Sequence, residues 1–272
     1  MAGIMNRLVQ AIRKSNTRPL LGAASFLYSP EFLEIAALLR YDVAWIEMEH
    51  AFITFAQAAD LCRIASGLGM LTMLRVPDAR RESVLKAAEC GPDIIDLPMA
   101  NSPVDLEDLV RNARFPPIGT RGYFSLSRAV SYGVGGKTGE AQRALNDELC
   151  LMAQVETREA VDRIDELCRV PGVDGIFIGP GDLSASLGVP GEISHPLVHE
   201  AAARVVDVAK ACGKQVAVAT AAQDFGFWIE QNVDVLFCTN DVASLRLGAE
   251  HAIEKARSAI AICGRLQGTV SE

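Results

Sequence analysis

The chain has 272 residues, with 26 Lys and Arg against 34 Asp and Glu and a formal net charge of -8. Half of it is hydrophobic and 22% is charged, a globular balance rather than a disordered one. The acidic surplus argues against nucleic acid or an anionic membrane as partner, and no apolar run approaches the roughly 18 residues of a membrane helix.

In chain order, residues 1–18 are expected to form a short N-terminal helix. Ile4, Leu8, Val9 and Ile12 share one helical face, while Arg7 interrupts the apolar residues and Arg13 and Lys14 follow them, unlike a secretory leader. Compact apolar runs then read as strands at Leu20–Ser25, Val43–Met48, Leu71–Val76, Ile94–Met99, Cys150–Val155, Gly175–Gly179, Gln215–Thr220 and Val235–Cys238. Runs apolar throughout suit parallel strands buried on both faces.

Helix signals fall between these runs. Thr54 caps a helix towards Ser66, Asp78 caps one ending before Gly91, and Ser102–Pro103 opens another with Asp105 in its first turn. Thr157 opens a helix reaching Cys168, Pro196 one ending at Cys212–Gly213, and Asp241 one running to about Cys263. This alternation predicts an α/β fold, a (β/α)8 TIM barrel forming a single domain over residues 1–272, with an open doubly wound sheet as the alternative. Phe115 to Leu149 is expected as a long loop before the fifth strand, with residues 124–136 as a lid.

Seven cysteines, odd in number and without a C-x-x-C pair, argue against a disulfide framework or zinc site. They are expected to be buried, reduced thiols, as in a cytoplasmic protein.

Catalysis in such a barrel sits at the carboxyl ends of the strands. The second strand delivers Glu47, Glu49 and His50 there, the third Arg75, and the fifth Gln154 and Glu156. The sixth delivers Gly179, Pro180, Gly181 and Asp182, and the eighth Asn240 and Asp241. Glu156 and Asp182, from neighbouring strands, suit a hard divalent ion; singly, each also reads as a helix-start acid. His50, approached by acids, reads as a general acid or base or else as a structural His, and Arg75 as the fork for a substrate carboxylate or enolate or else as a salt-bridge partner of these acids. Arg121 is read as a pin for the long loop. His195 and His199 have a zinc-like spacing but lack the glutamate of H-E-x-x-H. No lysine ends a strand, which argues against Schiff-base chemistry, and no Gly-rich turn follows the last two strands, which argues against a phosphorylated substrate.

Five segments, Trp45 to His50, Leu74 to Pro77, Phe115 to Gly122, Gln154 to Thr157 and Asp174 to Ser184, resemble the HpcH/HpaI-type metal-dependent pyruvate aldolases. These belong to the phosphoenolpyruvate/pyruvate barrel superfamily. The resemblance runs from Leu20 to the last helix. It implies a class II aldolase that cleaves or forms 4-hydroxy-2-oxoacids from pyruvate and an aldehyde. It also implies that Glu156 and Asp182 hold Mg2+, Mn2+ or Co2+, and that Arg75, Gln154 and the backbone of Gly179 to Asp182 meet pyruvate. His50 would move the proton, paired with a carboxylate at Glu89. The assembly implied is a homo-oligomer, a hexamer or trimer of dimers, whose last helix (241–263) is exchanged between neighbours. The family commonly has Asp at positions 47 and 89, where this chain has Glu. Oxaloacetate decarboxylation, other carbon–carbon bond formation on the same enolate, and ketoacid binding without turnover are the alternatives.

Overall fold

The computed structural model describes residues 6–15, 18–134 and 137–268, the side chains of 263–268 excepted. Asn6 caps α1 (Arg7–Lys14) by accepting the Val9 N–H at 2.9 Å. The chain then runs β1 (Leu20–Ser25), α2 (Pro30–Leu38), β2 (Val43–Glu47), α3 (Phe55–Gly67), β3 (Leu71–Arg75), α4 (Arg81–Glu89) and β4 (Ile94–Leu97). It continues through α5 (Pro103–Ala113), a 3-10 turn (Arg128–Gly133), α6 (Thr138–Glu148), β5 (Cys150–Val155), α7 (Arg158–Asp162), α8 (Ile164–Cys168) and β6 (Gly175–Ile178). The last elements are α9 (Pro180–Ser186), α10 (Pro196–Ala211), β7 (Gln215–Ala219), α11 (Phe225–Glu230), β8 (Val235–Asn240) and α12 (Asp241–Gly268).

All eight strands are parallel and close in sequence order, so the expected barrel forms rather than the open sheet. Closure joins β8 to β1 with a register shift between Gly22 and Ala23. A Cβ at Gly22 would stand inside the ring of Phe237, so only glycine lets these two strands meet there.

Strand alternation sorts the core into two layers. Val43, Trp45, Leu71, Met73, Ile94, Cys150, Met152, Phe177, Val235 and Phe237 form one buried cluster, joined by Leu8 of α1. Residues of the opposite phase, such as Ile46, Leu74, Ile95, Leu151 and Ile178, pack with Leu61, Leu106, Leu167 and Val205 of the helices. The first layer fills the barrel and the second surrounds it. Leu8 therefore plugs the amino end, the job the amphipathic pattern of α1 predicts.

A fourfold aspartate pattern sets the register at that end. Asp42, Asp93, Asp174 and Asp234 each stand just before an even-numbered strand and accept an N–H from the preceding odd strand. The donors are Leu21 at 2.9 Å, Thr72 at 2.8 Å, Leu151 at 2.9 Å and Val216 at 2.7 Å. Each carboxylate also pairs with a cation: Arg18, Arg7, Arg114 and Lys210, respectively. These strand-start N–H groups thereby find their acceptor in the carboxylate that precedes the next strand.

Several local expectations are corrected. Asp78 does not cap α4; its carboxylate accepts the Arg80 N–H instead, and the helix starts at Arg81 with no side-chain cap. The helix expected from Thr157 to Cys168 breaks at Arg163, whose φ of −101° and ψ of 12° leave the helical range. The long loop carries the 3-10 turn and α6, and β8 continues to Asn240. Cys62, Cys90, Cys150 and Cys168 are buried as expected, but Cys212 is exposed. No helix among the described residues is long and apolar enough to cross a membrane.

Asp93→Ala is expected to cost about 2–4 kcal/mol, because it strands the Thr72 N–H and hydroxyl and unpairs Arg7. Urea unfolding measures it; an unchanged midpoint would contradict the register role.

Candidate active site

The barrel's inward phase explains why polar groups gather at its carboxyl mouth. Counting every second residue, β2 presents Val43, Trp45, Glu47; β3 Leu71, Met73, Arg75; β4 Ile94, Asp96; and β5 Cys150, Met152, Gln154. Apolar residues occupy the lower rungs and a polar residue takes the last.

Arg75 is the hub. Its Nε donates to Glu47 Oε2 at 2.5 Å, and its Nη1 lies 3.3 Å from both Gln154 Oε1 and Glu49 Oε2. The guanidinium also stacks over Trp45, 4.9 Å from the ring centroid. Burial pulls its pKa down, but the hydrogen bond and charge of Glu47 outweigh that and hold it above the usual value. The other Glu47 oxygen accepts the N–H groups of Glu49 at 2.6 Å and His50 at 2.8 Å. A fully buried carboxylate thus fixes both the guanidinium and the loop that carries His50. The His50 ring is mostly exposed, its Nε2 3.6 Å from Glu49 Oε2.

The ring continues through Gln154, whose Nε2 donates to Glu156 Oε2. Glu156 Oε1 accepts the Met99 N–H at 2.7 Å. Met99 is in the left-handed region, at φ 50°, a strained conformation more common at functional sites than elsewhere. Gly179 is needed for close approach: a Cβ there would come within 2.7 Å of Glu156 Oε2. Burial raises the Glu156 carboxyl, and the nearby charges of Asp182 and Glu49 raise it further. Burial likewise raises Glu49, which feels Glu47 and Asp182 as well. Asp182 stands exposed in the first turn of α9.

This electrostatic layout fits a divalent cation. Glu47 and Glu49 pair with the one guanidinium, Asp96 lies close to it, and Glu156 and Asp182 lie near Glu49; the crowding of like charges adds to burial in raising Glu49, Asp96 and Glu156. Among the described residues no three His, Cys, Asp or Glu side chains form a ready-made cage. A hard ion such as Mg2+ or Mn2+ would therefore need oxygens from water and substrate beside those of the protein. Burial pushes the thiols of Cys90 to about 11 and Cys168 to about 12, which rules them out as nucleophiles at neutral pH.

Other sequence candidates lie elsewhere. Glu89 ends α4 and accepts from Arg121 Nη2 at 2.9 Å. Because α4 runs antiparallel to the strands, its end returns to the amino face, so the expected His50–Glu89 pair does not form within the chain. Arg121, stacked 4.5 Å from the Phe115 ring centroid, pins the long loop as read. The described part of the lid also packs at the amino face, where Arg128 Nη1 donates to the carbonyls of Cys90 and Gly91 at 2.8 and 2.9 Å; residues 135 and 136 lie outside the described residues. His195 caps α10 and His199 stacks on Phe227 at 3.9 Å. Asp241 accepts the Phe26 and Leu27 N–H groups, closing the β1–β8 seam rather than facing substrate.

Sequence reasoning undervalued two groups. Asp96 is fully buried with neither oxygen partnered among the described residues, and burial pushes its pKa far up. Its inward phase, two residues past Ile94, was the available signal. The Met99 N–H had none, since a backbone turn leaves no mark of its own in side-chain chemistry.

The carboxyl mouth, where enzymes of the (β/α)8 fold carry their chemistry, is here ringed by acids, and comparison with known proteins gives the class. The family model described as HpcH/HpaI aldolase/citrate lyase matches residues 25–236. The chain is 34% identical over 196 residues to a hydroxypyruvate/pyruvate aldolase of Sagittula stellata, covering 72% of this chain and 76% of that protein. It is 35% identical over 182 residues to a 2-keto-3-deoxy-L-rhamnonate aldolase of Klebsiella pneumoniae, covering 66% of this chain and 67% of that one. A solved HpcH/HpaI aldolase from Desulfitobacterium hafniense superposes with a TM-score of 0.85 at 28% identity, covering 93% and 97% of the two chains. The chain belongs to the HpcH/HpaI aldolase/citrate lyase family, and its enzyme class is that of an aldehyde-lyase.

Asp96 supplies a pH test. A carboxyl whose folded pKa is raised binds more protons folded than unfolded, so it weakens the fold as pH climbs past the unfolded value. Asp96→Leu is therefore expected to melt higher than the parent at pH 7.5, by about 2–4 °C for each kcal/mol recovered, with the gain shrinking towards pH 4. An advantage that grows on acidification would contradict the burial argument.

Proposed function

We propose that the chain catalyses reversible aldol cleavage of 4-hydroxy-2-oxoacids to pyruvate and an aldehyde, with a divalent ion held by Glu156 and Asp182. The observation that carries this reading is the surplus of carboxylates over the single guanidinium of Arg75 among the described residues of the mouth. Bound there, the ion would supply Lewis-acid stabilisation for negative charge on the 2-oxo oxygen of the ketoacid.

The protein's own groups do the rest. Gln154 holds Glu156 in place and offers its amide edge to the ketoacid. Arg75, fixed by Glu47, presents its planar fork to the oxygen on which charge develops. Pro180 has no N–H, so the first-turn amides of Gly181 and Asp182, beside Gly179, are the donors for the pyruvate carboxylate. His50, on a loop tethered by Glu47, passes a proton to and from the hydroxyl that becomes the aldehyde oxygen. Glu89 receives no step within one chain.

The relatives' activities towards hydroxypyruvate, pyruvate and 2-keto-3-deoxy-L-rhamnonate support a ketoacid substrate. The assembly is proposed as a homo-oligomer, a hexamer built as a trimer of dimers, exchanging α12. That helix exposes Leu245, Leu247, Ile253, Ile260 and Ile262, more apolar surface than a monomer usually leaves open. A reducing cytoplasm is proposed as its location, in keeping with the unpaired cysteines.

In D2O with Mg2+, the enzyme should exchange the methyl protons of pyruvate without any aldehyde, as followed by proton NMR. Glu156→Gln or a chelator should slow exchange by about 100-fold or more. Exchange that survives both would overturn the mechanism.

A further inference from the structure

Beside the acidic ring lies a cavity of about 500 Å3, walled by the ends of β1, β7 and β8 and by the start of α9. Pro180 and Gly181 line it, so it adjoins the loop proposed to take the ketoacid carboxylate. Arg75, Gln154 and Glu156 are not among its lining residues, which sets it next to the ketoacid rather than on it. Its surface is mostly Phe26, Trp45, Phe237, Ile193, Leu247 and a run of alanines, with Thr220, Thr239 and Asn240 as its neutral polar side chains, and among the described residues lining it none is charged. Trp45 and Phe237 meet edge to face, centroids 5.3 Å apart, and give the cavity a firm apolar wall. Two buried polar atoms at this wall, Trp45 Nε1 and Thr220 Oγ1, have no partner among the described residues.

Resting on the aldolase reading, we propose that this cavity seats the acceptor aldehyde and selects an uncharged one with an alkyl or aryl substituent. In the synthetic direction the enolate carbon of pyruvate bonds to the aldehyde carbon, the C=O pair moves onto oxygen, and that oxygen takes one proton. Nothing is oxidised or reduced. Each methylene buried in the cavity favours binding, whereas a carboxylate or phosphate would lose its hydration and meet no cation. A single hydroxyl on the substituent can meet Thr220 Oγ1 or the Trp45 N–H, both otherwise unsatisfied.

The test uses the full chain with Mg2+ and pyruvate, and compares kcat/KM for butanal, benzaldehyde, 2-hydroxypropanal, succinic semialdehyde and glyceraldehyde 3-phosphate. The three neutral aldehydes should exceed both anionic ones by about 10-fold or more. Thr220→Val, nearly isosteric, should lower the 2-hydroxypropanal to butanal ratio, and Ala222→Arg, at the exposed rim, should raise the semialdehyde to butanal ratio. Equal or better use of the anionic aldehydes, or ratios unmoved by both variants, overturns the assignment. Pyruvate methyl exchange separates the two levels: exchange with the wrong aldehyde preference refutes the cavity alone, and absence of exchange refutes the parent reading and the cavity with it.

Discussion

The buried pair between Glu47 and Arg75 is the contact on which the mouth of this barrel depends. Neither side chain can leave it cheaply, since removing one partner of a buried ion pair strands the other at about 3–5 kcal/mol. Through Glu47 the pair sets the backbone of Glu49 and His50; through Arg75 it reaches Gln154, then Glu156, then the Met99 N–H. Four strand ends are thus joined by one hydrogen-bonded chain. The acids on it outnumber the cations, and the proposed cation site rests on that imbalance.

The chain's Glu at position 47 has a definite place in this network. Its two oxygens serve different masters, one the guanidinium and the other two loop amides. Position 89 is different. Its carboxylate answers to Arg121 at the far face, so its extra methylene has no bearing on the mouth of the same chain.

The strands were legible because an interior strand carries an unbroken apolar run, and the site because polar residues end such runs in the inward phase. Glu47, Arg75 and Gln154 could be read that way, as could Asp96. What escaped reading was of two kinds. α2 begins with Ser29–Pro30, the same start as Ser102–Pro103 of α5, so its start signal stands in the sequence. The placement of Glu89 and the lid was not readable, because it depends on helix direction and on packing of the long segment against the amino face. The recurrence of Asp before even strands was also visible, and its meaning appears only when the partner N–H groups are located. The mouth divides by side: its acids and Arg75 come from β2 to β6, while β7, β8 and β1, with Trp45 of β2, line the uncharged cavity beside them.

The cation proposed to lie between Glu156 and Asp182 can be sought directly. Titrating the purified chain with Mn2+ and following free ion by electron paramagnetic resonance tests for it without any turnover. One tight site per chain is expected, competed by Mg2+ and lost in Glu156→Gln and Asp182→Asn. A full site persisting in both variants, or no site in the parent protein, would contradict the proposal.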